Sequence, residues 1–340
     1  MRPATAGQSN AIPGDMTTSL HPPLLQLASD ALITVIGGSG FLGRYVVQRL
    51  AETGFRVRVV VRHPDAALFL KPAGGLGQIQ IAAGNIATGA GIAHAFDGAA
   101  AGINLVGILA EGGGQTFDAV QARGAGMAAR TAAAAGIQHY IQMSAIGADA
   151  QSPIAYARSK GEGEAAVRAA IPGAVILRPS LVVGAEDQFL NRFAAMARTA
   201  PVLPVIAGDT RFQPVFVNDV AAATVAALNP DLARAPVYEL GGPDIFRFRD
   251  VLAMINTETR RHRRLVEVPA GLARLMGVMG DYLPFLPMTS DQFAMLQNDN
   301  VANPALPGLA ELGVTPTPLS AFVPAMLERY RPGGRFSKGA

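Results

Sequence analysis

Residues 32–54 read LITVIGGSGFLGRYVVQRLAETG, and this stretch decides the fold. LITVI (32–36) is short, apolar and rich in β-branched side chains, which suit a buried, pleated strand. FLGRYVVQRLAETG (41–54) changes period: Leu42, Val46, Val47 and Leu50 share one helical face, and Gly54 supplies the stop. Between strand and helix, Gly37, Gly40 and Gly43 form a G-x-x-G-x-x-G turn. With 38 glycines in 340 residues, such a spacing arises by chance roughly 0.5 times. Its position, directly after a strand and opening a helix, gives it meaning. Glycines there allow a tight turn and close backbone approach, and the helix N-terminus favours a pyrophosphate. The reading places a dinucleotide over Gly37, Gly40, Phe41, Leu42 and Gly43.

Outward from this unit the alternation repeats. VRVVV (57–61), IQIAA (79–83), INLVGIL (103–109), HYIQMS (139–144) and AVILRPS (174–180) read as buried strands. Helices are predicted near 89–97, 115–135 and 154–170. Continuous apolar strands alternating with helices specify an α/β fold, a doubly wound parallel sheet of the Rossmann type. Beyond residue 180 the rhythm loosens: a helix near 187–198, a strand FQPVFV (212–217), a helix NDVAAATVAALN (218–229) and a returning strand VYEL (237–240). Asp219 belongs to the N-terminal cap region of its helix. The remainder, punctuated by prolines, reads as a smaller C-terminal α+β lobe. The predicted organisation is a flexible tail over 1–29, a nucleotide-binding domain over 30–240, a C-terminal lobe over 241–332 and a frayed end over 333–340. Parts of 180–215 are expected to join the second lobe.

Composition excludes several classes. The chain lacks cysteine, so disulfides, thiol nucleophiles and cysteine-ligated metals are ruled out. Half its residues are apolar, which excludes global disorder. A net charge of +3 is too small for a nucleic-acid partner. The five histidines have no metal-ligand spacing, and no metal site is expected. No run is long enough and apolar enough for a transmembrane helix, and the N-terminal stretch lacks a signal-peptide core. Among 28 basic residues only Lys71, Lys160 and Lys338 are lysines.

Two further features carry chemistry. At the end of the second predicted strand stands Arg62, where an acidic residue would bind a ribose 2′-hydroxyl. A guanidinium pairs instead with a 2′-phosphate, so NADP(H) is favoured over NAD(H), with Arg44 as a secondary contact. Tyr156-Ala157-Arg158-Ser159-Lys160 is a Y-x-x-x-K pattern on a predicted helix, with both side chains on one face. Six tyrosines and three lysines give only about 0.05 chance matches. A neighbouring ammonium is expected to lower the Tyr156 pKa and make it a general acid/base, with Lys160 reaching a nicotinamide ribose. Arginine's planar fork would serve poorly there. Ser144, ending the fifth predicted strand, is placed to hydrogen-bond a substrate carbonyl.

These residues resemble the extended branch of the short-chain dehydrogenase/reductase superfamily over about 31–260. The matching motifs are Gly37, Gly40 and Gly43; then Ser144, Tyr156 and Lys160; then Arg178-Pro179-Ser180. The resemblance implies that Leu105, Val106 and Gly107 line the cofactor and that Pro179 lies near the nicotinamide. It also implies that Asn85 and Ile86 stand near the adenine, with Asn85 where the family usually carries Asp. One departure is Gln121, in Gln121-Ala122-Arg123-Gly124, where the family often has the asparagine of a catalytic tetrad.

The segments RPSLVVGAEDQFLNRFA (178–194), TRFQPVFVNDVA (210–221), YELGGPDIFRFRDVL (238–252), MTSDQFAMLQNDNV (288–301) and LGVTPTPL (312–319) are similar to one atypical subgroup. That subgroup is the nucleotide-binding accessory subunit of respiratory complex I and its bacterial relatives. The resemblance implies tightly held NADPH in a structural or sensing role and docking on the peripheral-arm subunits. The retained Ser144, Tyr156 and Lys160 keep open an active NADPH-dependent oxidoreductase or epimerase. The basic run Arg260-Arg261-His262-Arg263-Arg264 and the following Met/Leu-rich stretch to 288 admit two readings: packing against their own domain, the commoner fate of such stretches, or contact with an anionic membrane surface or a partner. The expected location is cytoplasmic, peripheral on the inner face of the cytoplasmic membrane, or the matrix side in a mitochondrion.

Overall fold

The structure is a computed structural model, describing residues 27–282 and 289–334. The tail expected over 1–29 lies outside it except at its end, as do residues 335–340 and the last part of the Met/Leu-rich stretch. Seven strands form one sheet: β1 (Leu32–Ile36), β2 (Arg56–Val61), β3 (Ile79–Ala83), β4 (Ala101–Asn104), β5 (His139–Met143), β6 (Val175–Pro179) and the strand Val237–Leu240. Their order is β3-β2-β1-β4-β5-β6-(237–240), and every pairing is parallel. The chain starts at the centre, winds to one edge and reverses between β1 and β4. That reversal opens a crevice beyond the carboxyl ends of the strands, where doubly wound sheets bind ligands.

Helix α1 (Phe41–Glu52) buries Val46, Val47 and Leu50 against one face of the sheet. On the other face lie α2 (Ile92–Ala95) and α3 (Arg123–Ala134), whose Ala125, Ala128, Ala129 and Ala132 pack with Ile92, Phe96 and Tyr140. Helix α4 (Ala155–Ala170) runs beside α3, and Gly126 and Ala166 meet at their crossing. A third core joins Val183, Leu190, Leu203 and Phe212 to Phe248, Val251, Leu252 and Leu327. Parts of 180–215 thus pack with the C-terminal elements, while Val182 and Val215 stay with the core of the main sheet, to which Leu309 and Leu312 also return.

Several predicted elements differ, among them the helix over 89–97, which is only Ile92–Ala95. The strand over 103–109 is Ala101–Asn104 only, because at Leu105 the chain leaves the sheet. The helix over 115–135 begins as a π-turn, Asp118–Ala122, before α3. FQPVFV splits into Arg211–Phe212 and Val215–Phe216, and Val217 already belongs to the helix Val217–Ala226. Pro214 has no amide to give a ladder, so a continuous strand is excluded there.

Candidate nucleotide site

The turn between β1 and α1 is packed too closely for side chains at its glycines. Gly37 has φ +83°, a conformation that L side chains rarely adopt, and a Cβ there would press on Val106 at 2.9 Å. A Cβ on Gly43 would lie 2.4 Å from the Gly37 carbonyl oxygen, so only glycine lets α1 start this close to the turn. Gly40 caps the helix without any side-chain hydrogen bond, and the first turn carries no carboxylate. An uncapped N-terminus with Gly40 exposed and Phe41 and Leu42 half-buried around it suits a pyrophosphate.

The loop after β4 forms the facing wall. Asn104, fully buried, donates to Gln142 Oε1 at 2.9 Å across the β4–β5 pair, and its own oxygen accepts from Val106 N at 3.1 Å. This amide ladder, unnoticed in the sequence, fixes Leu105, Val106 and Gly107 over the sheet. Two polar residues closing apolar runs at strand ends were the available signal. Asn85 uses its side-chain oxygen on Ala87 N at 3.0 Å, an Asx turn that shapes the loop after β3, and Ile86 is buried beside Gly124. Among the described residues the Asn85 amide NH2 makes no hydrogen bond.

Arg62 is exposed just past β2 and pairs with no described residue. Arg44 sits over the Phe69 ring at 5.1 Å and pairs with Glu186 at 3.4 Å. Pro179 is buried at the end of β6, and its carbonyl accepts from Ile146 N at 3.1 Å.

Tyr156 and Lys160 project from α4 on one face, with the ammonium 6.0 Å from the phenol ring centroid. They are 9% and 7% exposed. Phe117 meets the Tyr156 ring edge-on at 5.8 Å. Lys160 Nζ donates to the Met143 carbonyl at 3.5 Å, and a Cβ on Gly107 would come within 3.1 Å of it. Gln121 stands beside this point: its oxygen accepts from Ile108 N at 3.3 Å, and its NH2 donates to Ser159 Oγ at 3.0 Å. The π-turn brings Gln121 here, since the extra residue rotates it inward.

Electrostatics depart from the expectation. Burial pushes the Tyr156 phenol up to about 12 rather than toward neutrality. Burial lowers Lys160 to about 8, partly offset by Glu164. The cation expected to acidify the phenol is itself destabilised by the same dry surroundings, so Tyr156 remains a proton donor at neutral pH. Ser144 also differs from its expected setting: its hydroxyl donates to Glu164 Oε1 at 2.5 Å. Glu164, buried, takes two bonds from Arg178, at 2.8 and 2.7 Å, and Arg178 reaches Glu239 at 3.5 Å. Ser144 is thus tied into an internal ion network.

Two glycines inside α4 escaped the sequence reading. A Cβ on Gly161 would lie 2.2 Å from Ala150 N, and one on Gly163 would lie 2.1 Å from the Gln121 carbonyl oxygen. Each glycine costs a helix about 1 kcal/mol relative to alanine, and that cost was the signal of a packing demand.

A family described as NAD(P)H-binding matches residues 37–229. The chain belongs to this family. Within it, the chain is 35% identical to the mitochondrial NADH dehydrogenase (ubiquinone) 1 alpha subcomplex subunit 9 of Arabidopsis thaliana, over 90% of this chain and 79% of that relative. The resemblance read from the motifs is borne out. The chain is also 34% identical to the ceramide reductase of Caulobacter vibrioides, over 63% of this chain and 65% of that one. A UDP-glucose 4-epimerase from Thermotoga maritima shares the fold, with a TM-score of 0.64, 16% identity, and coverage of 88% and 98% of the two chains. The chain carries an NAD(P)-binding Rossmann domain, and the turn, the open α1 N-terminus and Lys160 fit such a nucleotide. Among the described residues, no helix is long and apolar enough to cross a membrane.

The buried lysine gives a pH prediction. Folded Lys160 loses its proton near pH 8 and unfolded lysine near 10.4. Between those values the unfolded chain binds more protons, so stability of the ligand-free protein rises with pH. Above about pH 10 the trend reverses, because Tyr156, Tyr140 and Tyr45, all raised chiefly by burial, hold their protons beyond the unfolded value. Urea midpoints from pH 7 to 11 should show this rise in the wild type and lose it in Lys160→Met. A flat wild-type profile would contradict a buried, discharged Lys160.

Proposed function

We infer that this chain is an NADPH-holding accessory subunit of a respiratory complex I, bound to its peripheral arm on the cytoplasmic or matrix face of the membrane. The observation carrying this reading is the commitment of the polar groups around Tyr156 to the fold itself. Ser144 serves Glu164, and Gln121 serves Ile108 N and Ser159. The groups that hold a nucleotide are kept, while those that would relay protons to a substrate are spent on structure. A bound nicotinamide nucleotide supplies hydride chemistry; here Lys160 anchors its ribose end, the glycine turn accepts its pyrophosphate, and Tyr156 offers a proton that it releases reluctantly.

Arg62 supports the phosphate-bearing form. Arg62→Ala is expected to weaken NADPH binding by about 10- to 100-fold, with NADH nearly unchanged, the loss of one charge-assisted contact. Fluorescence titration with both nucleotides measures it. Equal losses for the two would remove the argument for NADPH.

The second reading is an NADPH-dependent reductase or epimerase with Tyr156 as general acid. The shared face of Tyr156 and Lys160 and the likeness to ceramide reductase favour it. Purified protein separates the two. The subunit reading expects NADPH that survives gel filtration, is not oxidised by a panel of carbonyl compounds and quinones, and co-purifies with peripheral-arm proteins. Freely exchanging nucleotide with steady turnover would establish the second reading.

A further inference from the structure

Away from the nucleotide site, the loop after the helix Phe248–Glu258 gathers positive charge. Arg260, Arg261, Arg263 and Arg264, with His262, line a cavity of about 520 Å³. None of these arginines pairs with an acidic group among the described residues. The nearby carboxylates are engaged elsewhere: Glu258 with Arg331 and Glu267 with Arg249. Burial and the charges of Arg263 and Arg198 hold the Arg261 guanidinium below its usual range, the mark of an unneutralised cluster. A helix C-terminus welcomes a cation, but its half charge cannot balance four.

The loop is held in place rather than loose. Asn256 donates to the Arg263 carbonyl at 2.8 Å, Arg263 Nε donates to the Ala197 carbonyl at 2.7 Å, and Arg261 Nε donates to that of Tyr330 at 3.1 Å. Arg260 adopts φ +50°, at the helix-terminating position where glycine is usual. An arginine kept at that conformational cost places its charge on the cavity.

The adjoining helix Ala270–Tyr282 is packed inside out. Its small residues Ala273, Gly277 and Gly280 face the protein, with Gly277 close to Thr289 and Ser290. Its large apolar residues Leu272, Leu275, Val278 and Met279 are 52%, 55%, 46% and 45% exposed, within an arc of roughly 120° at helical spacing. The strand Arg264–Glu267, which links loop to helix, exposes Leu265 and Val266. A soluble surface seldom leaves such a face uncovered beside a cationic rim.

We propose that this surface, the Arg260–Arg264 loop with the outward face of the helix Ala270–Tyr282, seats the protein on the acidic headgroups of a phospholipid bilayer. Guanidinium groups meet lipid phosphates, and Leu272, Leu275, Val278 and Met279 enter the boundary below them. This goes beyond the nucleotide site and does not depend on its occupancy. Phosphate chemistry alone also fits a soluble anion, and the apolar face argues for the bilayer.

Flotation of the purified full chain with vesicles tests it. Vesicles of equal parts phosphatidylcholine and phosphatidylglycerol are expected to bind at least about tenfold more tightly than phosphatidylcholine alone, and high salt should release the protein. Arg260→Gln with Arg264→Gln, two side chains without partners among the described residues, should weaken binding about tenfold or more with the melting temperature and NADPH content unchanged. Leu272→Ser with Leu275→Ser should weaken binding to the same vesicles without altering retention of NADPH. Equal binding to both vesicles, or full binding by either variant, would overturn the proposal. So would protection of the loop from hydrogen exchange by inorganic phosphate together with absence from floated vesicles, which would assign the site to a free anion. Loss of NADPH in the wild type with vesicle binding intact would count against the nucleotide reading alone.

Discussion

Gly163→Ala is expected to destabilise the protein by about 3 kcal/mol, although alanine is the better helix former by about 1 kcal/mol. The added methyl would sit 2.1 Å from the Gln121 carbonyl oxygen and 3.5 Å from the Ala125 methyl, so α4 must move away from the π-turn. That movement also carries Lys160 and Tyr156 away from the glycine turn, and under the proposed function the content of bound nicotinamide nucleotide should fall with stability. Urea unfolding with an unchanged m-value measures the first effect, and the absorbance of the purified protein measures the second. Glu162→Ala, on the exposed side of the same helix, is the control and should stay within about 0.5 kcal/mol of wild type. A neutral or stabilised Gly163→Ala would mean that α4 does not approach the turn this closely.

Glu164→Ala should cost about 3–5 kcal/mol, the usual result of stripping one partner from a buried ion pair. Its removal leaves Arg178 with Glu239 alone, at 3.5 Å, and takes the acceptor from Ser144. Glu164→Gln keeps an acceptor for the Ser144 hydroxyl and should lose less. A paired replacement, Glu164→Leu with Arg178→Met, should recover only part of the loss, because it removes both charges of the pair but leaves the buried Glu239 without its cation. Glu164 is also the charge that keeps Lys160 from discharging further, so Glu164→Gln should move the stability rise of the pH profile to lower pH. Double-mutant unfolding cycles and the pH series together separate packing from charge. If Glu164→Ala unfolds at the wild-type midpoint, the network has no structural weight.

Much of the sheet was legible because its signals are local. LITVI, IQIAA and VYEL match their strands residue for residue, since an apolar β-branched run between breakers has few alternatives. The glycine turn and Y-x-x-x-K were legible for the same reason: both encode geometry within a few residues. The strand over 103–109 was overextended because Val106 and Ile108 look like core residues. They pack against the rim of the core from beyond the strand end, and Asn104 turns the chain out of the sheet. FQPVFV failed at Pro214, whose effect depended on which neighbour the strand would need.

The site shows the same division. The sequence by itself determined the doubly wound sheet, the open α1 N-terminus and the placing of Tyr156 and Lys160 on one helical face, because periodicity and steric limits act between near neighbours. The role of Ser144, the protonation of Tyr156 and Lys160, the need for Gly161 and Gly163 and the outward face of Ala270–Tyr282 were decided only by tertiary structure. Each depends on which distant groups exclude water or arrive within hydrogen-bonding reach, and burial and long-range pairing are properties of the packed chain.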